Sequence, residues 1–180
     1  SGEYSGWDDP RLVTLRALRR RGIRKEVLME LVNYIGLSKK QVFIDFDMIA
    51  SISRKLFDSS VKRFYFVENP VKLKISKMPS VKSVSVKIHP DKEETRKIKI
   101  GKEIYVSSKD FESFKDQEVR LMNLFTIKMS DKSEFISLEN KNVQKLQWVS
   151  SPVNVRIMMD NGKWISGFAD EGIKKLKLGD

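Results

Sequence analysis

A chain of 180 residues has room for one ordinary domain or two small ones and can bury a real core. Hydrophobic residues make up 40% and charged residues 33%, with ten Phe and three Trp, which excludes a disordered tail; no apolar run is long enough for a helical membrane span. Zero Cys excludes a disulfide framework and a thiolate metal site and points to a reducing cytoplasm, while 35 Lys and Arg against 24 Asp and Glu, a net charge of +11, suit a polyanionic partner such as nucleic acid or an anionic surface.

The stretch Ser1-Gly2-Glu3-Tyr4-Ser5 has neither a basic leader nor an apolar core, so no secretory signal is expected. Asp8-Asp9-Pro10 supplies a capping carboxylate and a proline suited to a first helical position. Leu12, Leu15 and Leu18 then recur at helical spacing up to Gly22, a left-handed stop, and predict a helix of about three turns. A second helix is predicted over 24–35, with Val27, Leu28, Leu31, Val32 and Ile35 on one face and Gly36 as its end. Met48, Ile49, Ile52 and Leu56 predict a third, capped by Asp45 or Asp47, and together these helices form a small bundle.

Beyond Asp58 the period changes to alternation. Residues 82–88 and 96–100 switch between polar and apolar at every step, which gives each a wet and a buried face. Further strands are predicted over 103–106, 118–128, 134–138, 153–158 and 163–168, with a short helix over 109–114 capped by Ser108. Turn chemistry falls at His89-Pro90-Asp91, Gly101, Ser130-Asp131 and Asn161-Gly162, the last a hairpin signal. The expected fold is α+β, a helical domain over 1–69 followed by an antiparallel β-barrel over 70–180.

Gly6-Trp7-Asp8-Asp9-Pro10-Arg11-Leu12 followed by Leu18-Arg19-Arg20-Arg21-Gly22-Ile23 resembles a segment shared by glutaminyl- and archaeal or eukaryotic glutamyl-tRNA synthetases. Asn69-Pro70-Val71-Lys72-Leu73, His89-Pro90, Glu118-Val119-Arg120-Leu121-Met122-Asn123 and Trp148-Val149-Ser150 continue the resemblance in the family's order, and it covers nearly the whole chain. Ser53-Arg54-Lys55-Leu56-Phe57-Asp58 with Arg63-Phe64-Tyr65-Phe66-Val67 resembles the glutamyl branch. The resemblance implies a helical domain that connects a catalytic fold to an anticodon-binding part, and a barrel similar to that of a ribosomal RNA-binding protein. It implies a cytoplasmic, monomeric glutamate-tRNA ligase as the parent, with tRNA(Glu) as partner, tRNA(Gln) too if the enzyme is non-discriminating, and no DNA or membrane. Relatives continue with another strand, so Gly179-Asp180 reads as an abrupt end that truncates the barrel.

The family's chemistry needs a nucleotide fold with a histidine pair and a mobile lysine loop. With His89 as the single histidine and no Gly-rich phosphate loop, no catalytic residue is expected here, and ATP with Mg belongs to the parent enzyme rather than to this fragment. Lys128-Met129-Ser130-Asp131-Lys132-Ser133 and Ser76-Lys77-Met78-Pro79-Ser80 resemble the lysine loop, but the former carries turn chemistry at a strand end, and both are rejected. No metal site is expected, because His89 has no second His or Cys beside it, and it is read as a turn residue. Asp8-Asp9 and Glu93-Glu94 are read as caps and solvated loops.

Two grips on tRNA are expected. Arg19, Arg20 and Arg21 surround a helix, where at most two can face one phosphate track. In Val153-Asn154-Val155-Arg156-Ile157 the resemblance marks Arg156 as an anticodon contact, and if Val155 and Ile157 face the core then Arg156 points outward. Arg96, in the stretch after His89, and Lys145 and Gln147, flanking the entry to Trp148, complete the candidate set. Trp148 is read as core and Arg120 as a plain exposed strand residue. The alternatives are the anticodon part of a glutaminyl enzyme and a general ribosomal-type RNA-binding module.

Overall fold

A computed structural model describes residues 4–37, 42–101 and 103–177. The readings made on residues 1–3 and on Gly179-Asp180 lie outside the described residues. Two compact units emerge: one runs to Val61 and takes in Met158–Trp164, the other holds Lys62–Ile157 and continues from Ile165.

The first unit contains helices α1 (Leu15–Arg20), α2 (Lys25–Ile35) and α3 (Phe46–Phe57). Helix α1 is shorter than its leucine spacing suggests, and its cap is Thr14, whose hydroxyl accepts from the Ala17 N–H at 3.1 Å. Asp9 does not cap, because its carboxylate is already saturated by the backbone N–H groups of Ser5 and Arg11, the Ser5 hydroxyl and the Arg11 guanidinium. A carboxylate so occupied locally closes a turn and has no lone pair left for a helix end. Helices α2 and α3 agree with the spacing. Gly36 ends α2 at φ 63°, and Asp45 caps α3 by accepting from the Met48 N–H at 2.8 Å. Leu18, Val27, Leu31 and Ile49 form the small core, with Ile23, Leu28, Ile35, Phe46, Met48, Ile52 and Phe57 packed around them. Val32 and Leu56, expected on the buried faces, are exposed.

The second unit is built on β1 (Phe66–Glu68), β2 (Pro70–Leu73), β3 (Ile75–Ser76), β4 (Ser83–Lys87), β5 (Thr95–Lys99), β6 (Ile104–Ser107), helix α4 (Ser108–Ser113), β7 (Glu118–Leu121), β8 (Thr126–Lys128), β9 (Ser133–Ser137), β10 (Lys145–Leu146), β11 (Val153–Met158) and β12 (Trp164–Ala169). The predicted strand over 118–128 is in fact a hairpin: Asn123 takes φ 59°, the Leu124 N–H returns to the Leu121 carbonyl at 2.9 Å, and the ladder reverses from β7 into β8. Apolar residues fill both sides of this turn, so period alone could not show it. Helix α4 begins one residue earlier than predicted, capped by Ser107.

Among the described residues the strands do not close into one antiparallel barrel. They form sheets in the orders β1-β12-β11, β10-β7-β8-β9-β3, β2-β6 and β4-β5, and two pairings, β10 with β7 and β3 with β9, are parallel. One core nevertheless unites the unit, drawing Val67, Leu73, Val86, Ile98, Val106 and Leu121 from different strands around Phe125 and Trp148. Trp148 is fully buried, as expected, and its indole N–H donates to the Met122 carbonyl at 2.8 Å. No helix among the described residues is long and apolar enough to cross a membrane.

Arg120 is buried rather than exposed. Its guanidinium donates to the Glu139 carbonyl at 2.5 Å, to those of Leu138 and Leu124, and to the Thr126 hydroxyl. The planar fork fastens residues 138–139 to the β7–β8 turn, a use that charge patterning cannot foresee.

Candidate nucleic-acid interface

Strands β11 and β12 place Arg156 in a groove of about 640 Å³ lined by Asn69, Pro70, Asn154, Val155, Ser166, Gly167 and Phe168. Arg156 is exposed, as the alternation required, although Ile157 is exposed too and does not serve as a core anchor. Asn154 shares the strand face of Arg156 by its two-residue spacing, and Ser166 stands in the same relation to Phe168. The groove therefore combines a guanidinium, two carboxamides and a hydroxyl with the flat apolar surfaces of Phe168 and Pro70. Donors and acceptors beside stacking surfaces suit an unpaired base presented edge-on.

The backbone explains the shape. Asn69 sits at φ 43°, a conformation asparagine tolerates better than most residues, and its carbonyl accepts from the Ser108 N–H at 3.1 Å. Gly167 lets β1 and β12 approach: a Cβ there would meet the Val67 carbonyl oxygen at 2.2 Å and the Phe66 ring at 2.7 Å. Asn69, Asn154, Ser166 and Phe168 were not singled out from sequence. Two signals bore on them, the parity of Asn154 with Arg156 and the place of Asn69 at the head of the Asn69-Pro70-Val71-Lys72-Leu73 segment.

Arg96 is placed differently from Arg156. Both of its Nη atoms donate to the Asp170 carboxylate, at 2.6 and 2.7 Å, and its Nε is buried without a hydrogen-bond partner among the described residues. Asp170 also accepts from the Tyr65 N–H at 2.7 Å and the Gly172 N–H at 2.9 Å, and the Arg96 guanidinium lies over Phe64 and Tyr65. This ion pair ties β5 to the end of β12, so the guanidinium is occupied in holding the unit together. Lys145 and Gln147 are both exposed beside Trp148, and the Gln147 Oε1 accepts from the Phe66 N–H at 3.2 Å. Lys145 pairs in register with Arg120 along β10 and β7.

The three helical arginines have separate fates. Arg20 pairs with Asp8 at 3.0 Å on the surface. Arg21 stacks over Phe46 at 3.8 Å and donates to the Pro10 carbonyl at 3.2 Å, which makes it part of the bundle. Arg19 is exposed and has no ion pair or side-chain hydrogen bond among the described residues, so it is the one whose charge is uncompensated locally. The Asp9 carboxyl is held well below the usual carboxylate range, first by the Arg11 guanidinium and then by the Ser5 and Arg11 N–H groups.

His89 is buried, and its Nδ1 accepts from the Asp91 N–H at 3.2 Å within the turn expected for it. The rejected lysine-loop look-alike at 128–133 is likewise a turn, closed by the Ser133 hydroxyl, which donates to the Ser130 carbonyl and accepts from the Ser130 N–H, while Met129 is fully buried.

Comparison with known proteins places this geometry in context. Residues 61–147 match the family model described as tRNA synthetases class I (E and Q), anti-codon binding domain. The chain is similar to glutamate--tRNA ligases from Archaeoglobus fulgidus (37% identity, 80% of this chain and 26% of the relative) and Pyrococcus abyssi (40% identity, 82% and 27%). The relative from Methanococcus maripaludis is 37% identical and is matched over 100% of this chain and 34% of its own length. The chain thus spans about a quarter to a third of the length of these relatives.

Proposed function

We propose that the chain belongs to the class I glutamyl- and glutaminyl-tRNA synthetase family, whose anticodon-binding domain model it matches over 61–147, and that it grips tRNA(Glu) for a glutamate-tRNA ligase. ATP- and Mg-dependent glutamylation is assigned to parts of the relatives' length outside this chain, in the cytoplasm. The helical unit supplies the connecting part, in which Arg19 meets phosphates along the inside of the L-shaped tRNA. The strand unit takes the anticodon loop, and its single core shared by strands of all four sheets supports reading it as the family's ribosomal-protein-like barrel.

The observation that carries this reading is the Arg156 groove, in which a planar cation and two carboxamides lie beside stacking surfaces. Such a set discriminates one unpaired base by its edge, a contact worth about 1–3 kcal/mol. Arg156→Ala is expected to weaken tRNA(Glu) by that amount and to relax preference at one anticodon position, as measured by filter binding against anticodon-substituted transcripts. Unchanged affinity together with unchanged preference would refute the assignment. Because the matched family model serves both amino acids, the assay includes tRNA(Gln), whose equal binding would identify a non-discriminating enzyme. Competition with ribosomal RNA at moderate salt separates a tRNA grip from a general RNA-binding module.

A further inference from the structure

We propose that the outward face of the β4–β5 ribbon is a second RNA surface, one that follows the phosphodiester backbone without reading bases; it rests on the RNA-binding reading above. In the antiparallel register Ser83 lies opposite Lys99, Ser85 opposite Lys97 and Lys87 opposite Thr95. Directly opposed residues share a face. Each outward pair therefore joins one lysine to one hydroxyl, in three successive rungs. The other face carries Val84, Val86 and Ile98, packed on the core, together with Arg96 in its pair with Asp170.

All six outward residues are exposed, and none is acidic. Lys87 is paired at 2.8 Å with Glu93 in the adjoining turn, whereas Lys97 and Lys99 have no ion pair or hydrogen bond among the described residues. Two like charges side by side on a strand repel each other, so in the free protein this arrangement offers no stabilisation of its own. Side chains on one face of a strand repeat at about 6.8 Å, close to the separation of successive phosphates along a nucleic-acid strand. Lysine supplies the compact charge and serine or threonine the hydrogen bond, both of which phosphate oxygens accept. A lysine-guarded sheet edge would also be cationic, but edge protection does not call for a hydroxyl opposite every lysine.

The test titrates tRNA(Glu) against the 180-residue chain at several KCl concentrations, using the wild type, Lys97→Gln/Lys99→Gln and Ser85→Lys. Counterion release predicts that the double variant loses about 1.4 from the slope of log K against log[salt], and about 25-fold in affinity at 0.1 M, at ~0.7 per phosphate contact. Ser85→Lys should gain about 0.7 in slope, and in both variants preference among anticodon-substituted transcripts should be unchanged. An unaltered slope in both variants overturns the proposal, as does intact RNA binding accompanied by new self-association, which would mark the lysines as edge guards. If the slopes shift as expected while Arg156→Ala leaves preference untouched, the groove assignment fails and this surface stands. If the wild type binds no tRNA, both fall.

Discussion

Asp170→Asn removes the charge from a carboxylate that is 1% exposed and leaves the Arg96 guanidinium, 16% exposed, facing an amide. The Tyr65 and Gly172 N–H groups bond to different oxygens of that carboxylate, at 2.7 and 2.9 Å, so the substitution also leaves one of them facing an NH2 group instead of an acceptor. Breaking one side of a buried pair costs about 3–5 kcal/mol, and the low end, about 3, applies because the amide oxygen can still accept once. With a urea slope of about 2 kcal/mol per molar, the unfolding midpoint of the strand unit should fall by about 1.5 M. Fluorescence is the assay, since Trp148 is fully buried whereas Trp7 and Trp164 are already exposed and change little on unfolding. Arg96→Met and the double variant complete a cycle in which the coupling between the two positions should exceed about 1 kcal/mol. A midpoint within 0.3 M (about 0.6 kcal/mol) of wild type for Asp170→Asn would show that water already satisfies these groups, and the argument for Arg96 as a structural tie would be lost. The same variants bear on function: a tie makes Arg96→Met weaken all tRNAs together, whereas a base reader would change preference among them.

The Asp9 carboxyl, held low by Arg11, contributes stability that is fully present above the ordinary carboxylate pKa of about 3.9 and is lost as pH falls below it toward the depressed folded value. The stability gap between wild type and Asp9→Asn, followed by helical circular dichroism during urea unfolding, should therefore be constant from pH 7 to about 5 and narrow below about 4; a gap independent of pH would contradict this. Gly167→Ala forces a Cβ against the Val67 carbonyl and the Phe66 ring, so a loss of about 3 kcal/mol is expected in the Trp148 fluorescence assay. A neutral result would mean that β1 and β12 separate readily.

The sequence carried much of this architecture because most elements are spelled in local chemistry. Gly36 ends its helix through a backbone free to take positive φ, Asp45 begins the next through its carboxylate, and Asn161-Gly162 makes its turn with the Gly162 N–H donating to the Met159 carbonyl at 3.0 Å. What failed was chemistry with more than one use. Asp9 could have been a cap or a turn carboxylate, and the choice depended on Arg11 folding back, which no spacing encodes. Strands β1, β2, β3 and β10 are two to four residues long, too short for a period to declare itself, and they exist because distant partners pair with them. Arg96 was legible in principle. It has the parity of Ile98 and Ile100, so the alternation that placed those side chains inward placed its guanidinium inward as well, and the carboxylate it would need there lay 74 residues away. The Arg156 groove escaped for the same reason, since Asn69 and Ser166 meet only once the sheet has formed.

Pairing of Phe66–Glu68 with β12, the last strand among the described residues, makes this ladder a late one, because Phe66 finds its partner at Ala169. During synthesis the ribosome must release residues through Ala169 before that ladder can form, and until then the β1 backbone is without its β12 partner. Refolding of the strand unit should accordingly lag behind that of the helical one, and chains cut short of Asp170 would remain open however many of their other strands had already paired.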